Sequence, residues 1–353
     1  MRSTPIYEVH AVKYAHLPRK AWEVQITPDP HDADFPMDYF VWVAIPLDES
    51  GHRLMGGKPI VIDTGFNAQI GKKRGREVKT NPADLLSHLG IDAREVEDVI
   101  ITHLHYDHVG NWDKFPKARF HLQDKEMQFA TGRHMCHGSF RHAFEIEDIV
   151  GMVRAVYGKR VVFHDGDEEI APGVSVHLIG GHTMGIQSVR VMTRNGWLVL
   201  ASDASHYFWG IKENKLFAIV YSVADMLAGY DKLRKLADGR VDMVVPGHDA
   251  EVCKRYPASK PGLEGICVRL DSPRRTPSAR RRPPPPSRRR GPMDRAPRSR
   301  RASASPDRSH SPGSRPTARG LAASPSRRSA TRTPPRRARD GSPPDRGGRA
   351  GCG

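Results

Sequence analysis

The chain has 353 residues, and the residues after position 270 carry its formal net charge of +16. Residues 271–353 contain 23 Arg and 5 Asp but no Lys, Glu, Phe, Tyr or Trp. The first 270 residues are therefore nearly neutral, and they are enough for one large domain with a substantial core. Because this body has no basic stripe with interleaved aromatic residues, its composition counts against a nuclease.

The segment 271–353 is rich in Arg, Pro and Ser, and we predict that it forms a separate, disordered tail. It has too little apolar surface to offset the loss of chain entropy on folding. One interpretation of its charge is non-specific attraction to nucleic acid or to an anionic surface. The other, which we favour, is an out-of-frame extension, since Arg, Pro, Ser, Ala and Gly all have GC-rich codons.

The N-terminus lacks a positively charged start followed by an apolar stretch, and no run of about 18 apolar residues occurs along the chain. We therefore expect no signal peptide, no membrane partner and a cytoplasmic location. The sequence leaves the oligomeric state open, a homodimer included.

Predicted strands and helices alternate through the first 270 residues. The predicted strands cover residues 5–13, 39–45, 58–65, 96–102, 118–122, 174–179, 188–193, 197–201, 241–245 and 265–270. A capped helix is predicted over 81–90, a mostly helical region over 124–158 and an amphipathic helix over 226–237. Groups of strands with helices between them favour the α/β class, and we predict an αββα sandwich of two facing sheets with helices outside.

Four side chains that can bind metal follow the apolar run 99–102 within six residues. They are His103, His105, Asp107 and His108. Zinc and similar divalent metals take imidazole nitrogen and carboxylate oxygen as ligands. We expect His103 and His105 to point one way and Asp107 and His108 the other, so that this short segment serves two neighbouring ions.

Three further candidate ligands come directly after predicted strands. They are His182, Asp203 and His248. Gly181 and Gly247 precede the two histidines and allow sharp turns and close approach of the backbone. Loops at strand ends are where rigid sheets present functional groups. With the first four, these residues make seven candidate ligands, enough for two ions and one bridging carboxylate.

The order of these motifs, His-x-His-x-Asp-His, Gly-His-Thr, Ser-Asp and Pro-Gly-His, resembles the metallo-β-lactamase superfamily over roughly residues 5 to 270. Within it the chain looks most like the N-acyl-homoserine lactonase branch, which is also similar to pyridoxolactonases. The resemblance implies an αββα fold and two Zn²⁺ per chain, other divalent metals being alternatives. The residues that match the family's ligands are His103, His105 and His182 for one ion, Asp107, His108 and His248 for the other, and Asp203 as the bridge.

The resemblance also implies a reaction, the opening of a lactone ring. A hydroxide that bridges the two metals attacks the lactone carbonyl, and Asp107 assists departure of the alkoxide. Asp63 matches a buried aspartate of the family that orients a ligand imidazole. We expect N-acyl-homoserine lactones as substrates, which would make the chain a quorum-quenching lactonase.

Three candidate substrate residues follow from the same resemblance. Tyr106 stands where lactonases carry an aromatic residue that lines the acyl pocket, and the alternative is an aromatic side chain that packs under the loop. His206 stands three residues after Asp203, where lactonases of this type have a tyrosine that donates to the lactone, and Tyr207 lies one position later. We favour His206 as the residue that faces the cleft. The segment 127–144 is either a cap over the pocket or a surface helix pair.

Alternatives remain open at this stage. The same metal core could hydrolyse pyridoxolactone or a thioester, although Leu104 occupies the position where hydrolases of the glyoxalase II kind tend to have a histidine. A non-enzymatic alternative is a protein that associates with nucleic acid through the basic tail. Deleting residues 271–353 would separate these ideas, since lactonase activity should survive the deletion and nucleic-acid binding should not.

Overall fold

The computed structural model describes residues 4–27 and 33–273. The predicted tail lies outside these residues from position 274 onward. No helix in the described ranges is both long and apolar enough to cross a membrane. The strands are β1 (Tyr7–Leu17), β2 (Met37–Pro46), β3 (Ile60–Ile62), β4 (Glu77–Val78), β5 (Asp98–Ile100), β6 (Arg119–Gln123), β7 (Val161–His164), β8 (Glu168–Ala171), β9 (Val174–Leu178), β10 (Gln187–Thr193), β11 (Gly196–Ser202), β12 (Val244–Pro246) and β13 (Cys267–Arg269).

The strands form two sheets. The first has the order β13-β1-β2-β3-β5-β6-β7, and β4 pairs with β1. The second has the order β12-β11-β10-β9-β8. In the first sheet β3, β5, β6 and β7 run parallel to one another, whereas in the second only β11 and β12 are a parallel pair among the described strands.

Helices cover the outer faces of the two sheets. The α-helices are α1 (Ala21–Val24), α2 (Ala68–Arg74), α3 (Pro82–Leu85), α4 (Tyr106–Val109), α5 (Asp124–Thr131), α6 (Gly138–Arg141), α7 (Ile146–Tyr157), α8 (Phe208–Glu213), α9 (Val223–Leu236) and α10 (Glu251–Arg255). Short 3₁₀ helices cover Leu86–Leu89, Ala93–Glu95, Trp112–Lys114, Arg133–Cys136 and Val241–Met243.

The alternation of side chains along β2 shows how the layers are built. Val41 and Val43 belong to the core beneath the helices of the first sheet, together with Met152 of α7. Phe40 and Trp42 point to the opposite face and pack in the second core, which contains residues of β9 to β11. A strand covered by helices on one face and by a sheet on the other is buried throughout, which explains the continuous apolar run. The predicted αββα sandwich is confirmed.

Several predicted elements differ in extent from those observed. The predicted helix over 81–90 is α3 followed by a 3₁₀ turn, with Asn81 as the N-cap and Gly90 in the left-handed conformation at its end. The prediction of a strand over 241–245 is wrong for its first three residues, which form a 3₁₀ helix before β12. Strands β7 and β8 were not predicted, because they are short and only partly buried.

The topology brings the chemically important loops to one edge of the sandwich. Strands β3 and β5 are parallel neighbours, so the residues after Ile62 and after Ile100 leave the first sheet side by side. Strands β11 and β12 are also parallel, and they deliver the residues after Ser202 and Pro246 together. The loop that joins β9 to β10 begins at the same end of the second sheet. All seven candidate ligands lie in these loops.

Candidate metal centre

The seven candidate ligands converge in the structure although they come from four separate loops. Each is at most 7% exposed. Their nitrogen and oxygen atoms fall into sets in which every member lies within 4.8 Å of the others, namely His103, His105, His182 and Asp203, and separately Asp107, His108 and His248. The first three histidines are called the first ligand group below, and Asp107, His108 and His248 the second ligand group.

The first ligand group consists of imidazoles only. His105 Nδ1 lies 3.0 Å from His182 Nε2. His182 Nε2 is 3.3 Å and His103 Nε2 is 3.8 Å from Oδ2 of Asp203. Burial, reinforced by the neighbouring histidines, lowers the pKa of His103 and His105 well below the usual range. Both rings are therefore neutral near pH 7, which leaves one nitrogen lone pair on each for a metal.

The second ligand group contains a carboxylate. Oδ2 of Asp107 lies 3.7 Å from His108 Nε2 and 3.6 Å from His248 Nε2. The same two nitrogens are 3.4 Å and 2.9 Å from Oδ1 of Asp203. Asp107 and His108 are adjacent in sequence, and both reach this group because they lie in the single helical turn α4.

Asp203 stands between the groups and offers one oxygen to each. Burial alone would raise its pKa, but the imidazoles of His206, His248 and His108 outweigh that effect and hold the pKa well below its usual range. A Cβ atom on Gly247 would lie 2.7 Å from Oδ1 of Asp203, so glycine is required where these two loops meet. An ionised carboxylate in this position can bridge two cations.

Unpartnered atoms show that the residues fit metal ions. Nε2 of His103, His108 and His248 and Oδ1 of Asp203 are buried, and none of them makes a hydrogen bond of acceptable geometry with the described residues. Buried polar atoms without a partner are costly and usually have an explanation such as an ion. Imidazole and carboxylate donors of this kind suit zinc and related divalent metals.

The Nδ1 atoms of two candidate ligands, His182 and His248, hydrogen bond to backbone carbonyl oxygens outside the centre. Nδ1 of His182 is 2.8 Å from the carbonyl oxygen of Ile219, and Nδ1 of His248 is 2.9 Å from that of Asp38. A carbonyl oxygen can only accept, so each Nδ1 carries the proton. The Nε2 lone pairs of both rings are thereby directed into the centre.

Asp63 holds His108 in the same way. It is fully buried, and its φ of +61° is uncommon for a residue other than glycine. Its Oδ2 lies 2.7 Å from Nδ1 of His108, and the carboxylate also accepts hydrogen bonds from the backbone nitrogen and hydroxyl of Thr102. The sharp turn after β3 therefore serves to place this carboxylate behind a candidate ligand.

Glu126 is a functional residue that the sequence analysis missed. Its fully buried carboxylate accepts from the backbone nitrogen of Leu104 at 2.9 Å and from the hydroxyl of Thr183 at 2.6 Å. The backbone nitrogen of Gly185 also donates to it, at 3.1 Å. Glu126 thus ties the loop of His103 and His105 to the loop of His182. Its place in the sequence of α5 resembles that of any surface glutamate, so no local pattern marks it as a site residue.

A cleft of about 150 Å³ opens onto the centre, and its wall distinguishes the candidate substrate residues. Tyr106 and His206 line it. His206 stacks on Phe217 with 3.6 Å between ring centroids, and its Nε2 lies 3.0 Å from Asp203 Oδ2. Tyr207 lines a neighbouring cavity instead, where its hydroxyl donates to the carbonyl oxygen of Phe35 at 3.3 Å.

The segment 127–144 contributes to the cleft only through its end. His142 and Ala143 line the wall, and Phe144 packs edge-on against the ring of His105. Earlier in the segment, Phe129 and Phe140 form an aromatic cluster that includes Tyr221. The segment is thus neither a complete cap nor a detached helix pair, since its core-facing side is packed and its last residues reach the ligands.

The fold and the centre define a class of protein. The chain belongs to the metallo-beta-lactamase superfamily, whose family model matches residues 55–248. The expected resemblance to the N-acyl homoserine lactonase branch is also confirmed. The chain is 29% identical over 171 residues to N-acyl homoserine lactonase AttM of Azorhizobium caulinodans, a match that covers 46% of the chain and 62% of that protein. It is 31% identical over 180 residues to N-acyl homoserine lactonase AiiB of Agrobacterium fabrum, covering 48% and 63%.

The chain therefore spans about three-fifths of the length of these curated relatives. Among solved structures, an N-acyl homoserine lactone hydrolase with the product N-hexanoyl-L-homoserine bound at its catalytic metal centre superposes with a TM-score of 0.56. That superposition covers 70% of this chain and 96% of the other at 20% identity, and it shows a shared fold.

Proposed function

We propose that the protein is a dinuclear zinc hydrolase that opens lactone rings, with N-acyl homoserine lactones as the first substrates to test. The observation that carries the proposal is the sharing of Asp203, whose two oxygens face the two ligand groups separately. Such an arrangement suits two cations joined by one carboxylate. The names of the relatives supply the substrate class, because both are N-acyl homoserine lactonases.

In this proposal the first ligand group and Asp203 hold one cation, and the second ligand group and Asp203 hold the other. Divalent cations bound there would supply Lewis acidity, which would promote ionisation of a water molecule near neutral pH and stabilise negative charge on the carbonyl oxygen. The chain contributes a site that is nearly closed to solvent, since the shared carboxylate of Asp203 is only 3% exposed. Electrostatic interactions between the centre and a substrate are stronger where water is excluded.

Two side chains in the cleft have assigned roles in the proposal. Asp107 lines the cleft, and we assign to it the proton that must reach the departing alkoxide. Burial lowers the pKa of His206 to about 3 although Asp203 acts in the opposite direction. His206 is therefore neutral at pH 7 and can orient Asp203 beside the substrate without adding charge to the centre.

A substrate panel tests the proposal on the full-length protein loaded with zinc. The panel contains homoserine lactones of several acyl lengths, an unsubstituted γ-lactone, pyridoxolactone, a glutathione thioester and a phosphodiester. Metal content is measured on the same sample. We expect two zinc ions per chain and the highest kcat/KM with an acyl homoserine lactone.

The Asp203→Ala variant tests the shared carboxylate directly, since it removes this group while leaving every imidazole in place. It should abolish ring opening and reduce the metal content. A faster reaction with the thioester or with pyridoxolactone would move the assignment to another hydrolase of this fold. Turnover that persists in Asp203→Ala with an unchanged metal content would refute the dinuclear mechanism.

A further inference from the structure

Three arginines line the cleft, and they differ in how their charge is compensated. Arg74 pairs with Glu145, its Nε lying 2.8 Å and its Nη2 2.7 Å from Oε1. Arg19 pairs with Glu23 at 3.2 Å. Arg76 makes no ion pair with any acidic residue in the described ranges. Of the three, Arg76 is thus the one whose charge the protein leaves uncompensated.

The hydrogen bonds of Arg76 go to neutral oxygen atoms, and its guanidinium also lies over the uncharged ring of Tyr106, 5.9 Å from the centroid. Its Nε donates to the hydroxyl of Tyr106 at 3.2 Å, and Tyr39 is a second electrostatic neighbour of its side chain. A further hydrogen bond goes to the backbone carbonyl of Arg74. These contacts fix the guanidinium in one position but do not neutralise it. A half-buried charge held in this way is costly unless something else supplies the counter-charge.

The same contacts place Arg76 beside the second ligand group. Tyr106 directly precedes Asp107, and the ring of Tyr39 packs against His248 with 5.0 Å between centroids. Arg76 is therefore next to the metal centre but does not belong to it. A molecule that reacts at the centre and extends along this wall of the cleft would reach the guanidinium.

We propose that Arg76 binds a carboxylate carried by the substrate, so that the preferred substrates are lactones with an acidic acyl group. This inference rests on the proposed lactonase function and narrows its substrate class. A carboxylate is the planar anion that best matches a guanidinium, and a charge-assisted hydrogen bond to it is about twice as strong as a neutral one. A neutral acyl chain would leave the charge of Arg76 without a partner.

The test compares two substrates of equal chain length, hexanoyl-homoserine lactone and its analogue in which a carboxylate replaces the terminal methyl group. With the wild-type enzyme, we expect kcat/KM to be about ten-fold higher for the acidic lactone, the order expected from one charge-assisted hydrogen bond. In Arg76→Met the ratio between the two substrates should fall to about one, and Arg76→Lys should retain part of the preference.

Lys72→Met is the matched control, because it removes an exposed positive charge from the nearby helix α2. It should leave the ratio between the two substrates unchanged. A wild-type ratio near or below one would overturn the proposal. A loss of equal size with both substrates in Arg76→Met would also overturn it, because Arg76 would then act on the reacting carbonyl or on the product.

Binding of the corresponding γ-lactams, which resist ring opening, gives a second readout by calorimetry. The wild-type protein should bind the acidic lactam about ten-fold more tightly than the neutral one, and this comparison requires no variant to fold. Tighter binding of the neutral lactam would refute the role of Arg76. If neither lactone is opened while the acidic lactam still binds more tightly, the lactonase function has failed and the carboxylate site stands.

Discussion

The two ligand groups of the centre meet at one carboxylate but provide different electrostatic environments. The first group has three imidazoles, and burial lowers the pKa of His103 and His105. The second group has its own carboxylate, Asp107. Burial would lower the pKa of His108 and His248 as well, but the surrounding carboxylates, with Asp203 as the strongest, outweigh it and raise both values.

The difference gives the two candidate positions unequal negative charge. A cation held by the second group would be neutralised by Asp107 and by its share of Asp203, whereas one held by the first group would be offset only by Asp203. The less neutralised cation would be the stronger Lewis acid, so on the proposed function we expect the carbonyl oxygen of the substrate to lie nearer the first group. The groups also differ in their support, which for His108 is the direct contact with Asp63 and for the first group is Glu126 acting through backbone nitrogens.

Removal of the shared carboxylate should have the largest effect. In Asp203→Ala both positions lose a ligand, and the buried imidazoles of His108 and His248 lose their strongest counter-charge. We expect kcat/KM to fall by about three orders of magnitude or more, together with loss of metal from both positions. Metal analysis by mass spectrometry and lactone kinetics would check this, with the exposed Asp242→Ala as control. Retention of two ions would mean that Asp203 is not shared.

Removal of one histidine should show the separate contributions of the two ligand groups to metal binding. In His108→Ala the second group loses an imidazole while the first keeps all three, so one ion per chain should remain. We expect activity to fall by about two to three orders of magnitude, as is typical when one member of a catalytic unit is lost. The exposed His88→Ala is the matched control and should behave like the wild-type protein. Unchanged turnover with two bound ions would remove His108 from the centre.

The supporting carboxylates should have smaller and different effects. Asp63→Asn alters the partner of His108 Nδ1 and should weaken metal binding at the second position by about ten- to a hundred-fold. Glu126→Gln places an amide among three donors, so we expect it to lower the free energy of unfolding of the metal-free protein by about 1–3 kcal/mol. Chelator competition and denaturant unfolding measure the two effects. A weaker second position in Glu126→Gln, with the first unaffected, would reverse our assignment of the supports.

The smallest effects should come from the residues after Asp203. His206→Ala removes a cleft residue that contacts Asp203, and we expect kcat to fall by about ten- to a hundred-fold. Tyr207→Ala should change kcat by less than about three-fold, because its hydroxyl bonds to Phe35 in the neighbouring cavity. Steady-state kinetics of the two variants decides between them. A larger loss in Tyr207→Ala would show that the tyrosine reaches the substrate after all.

The sequence by itself identified the seven candidate ligands, because each follows a recognisable apolar strand and sits in a short motif. It also determined the layered fold, through strands that are apolar on both faces. The predicted division of the ligands, with His103 and His105 on one side and Asp107 and His108 on the other, agrees with the observed groups, but the sequence did not supply its structural cause. Strict strand alternation would send Asp107 to the same side as His103, but β5 ends at Ile100 and the helical turn α4 turns Asp107 and His108 together into the second group.

The roles of Glu126 and Arg76 were decided by tertiary structure alone, whereas Asp63 was named from the sequence. Glu126 contacts a backbone nitrogen 22 positions away and a hydroxyl 57 positions away, and no local pattern encodes such a pairing. The charge of Arg74 is compensated and that of Arg76 is not, because Glu145, distant in sequence, pairs with Arg74. Local motifs record which side chains are available, whereas long-range packing fixes which atoms they face, and the chemistry of the cleft depends on the latter.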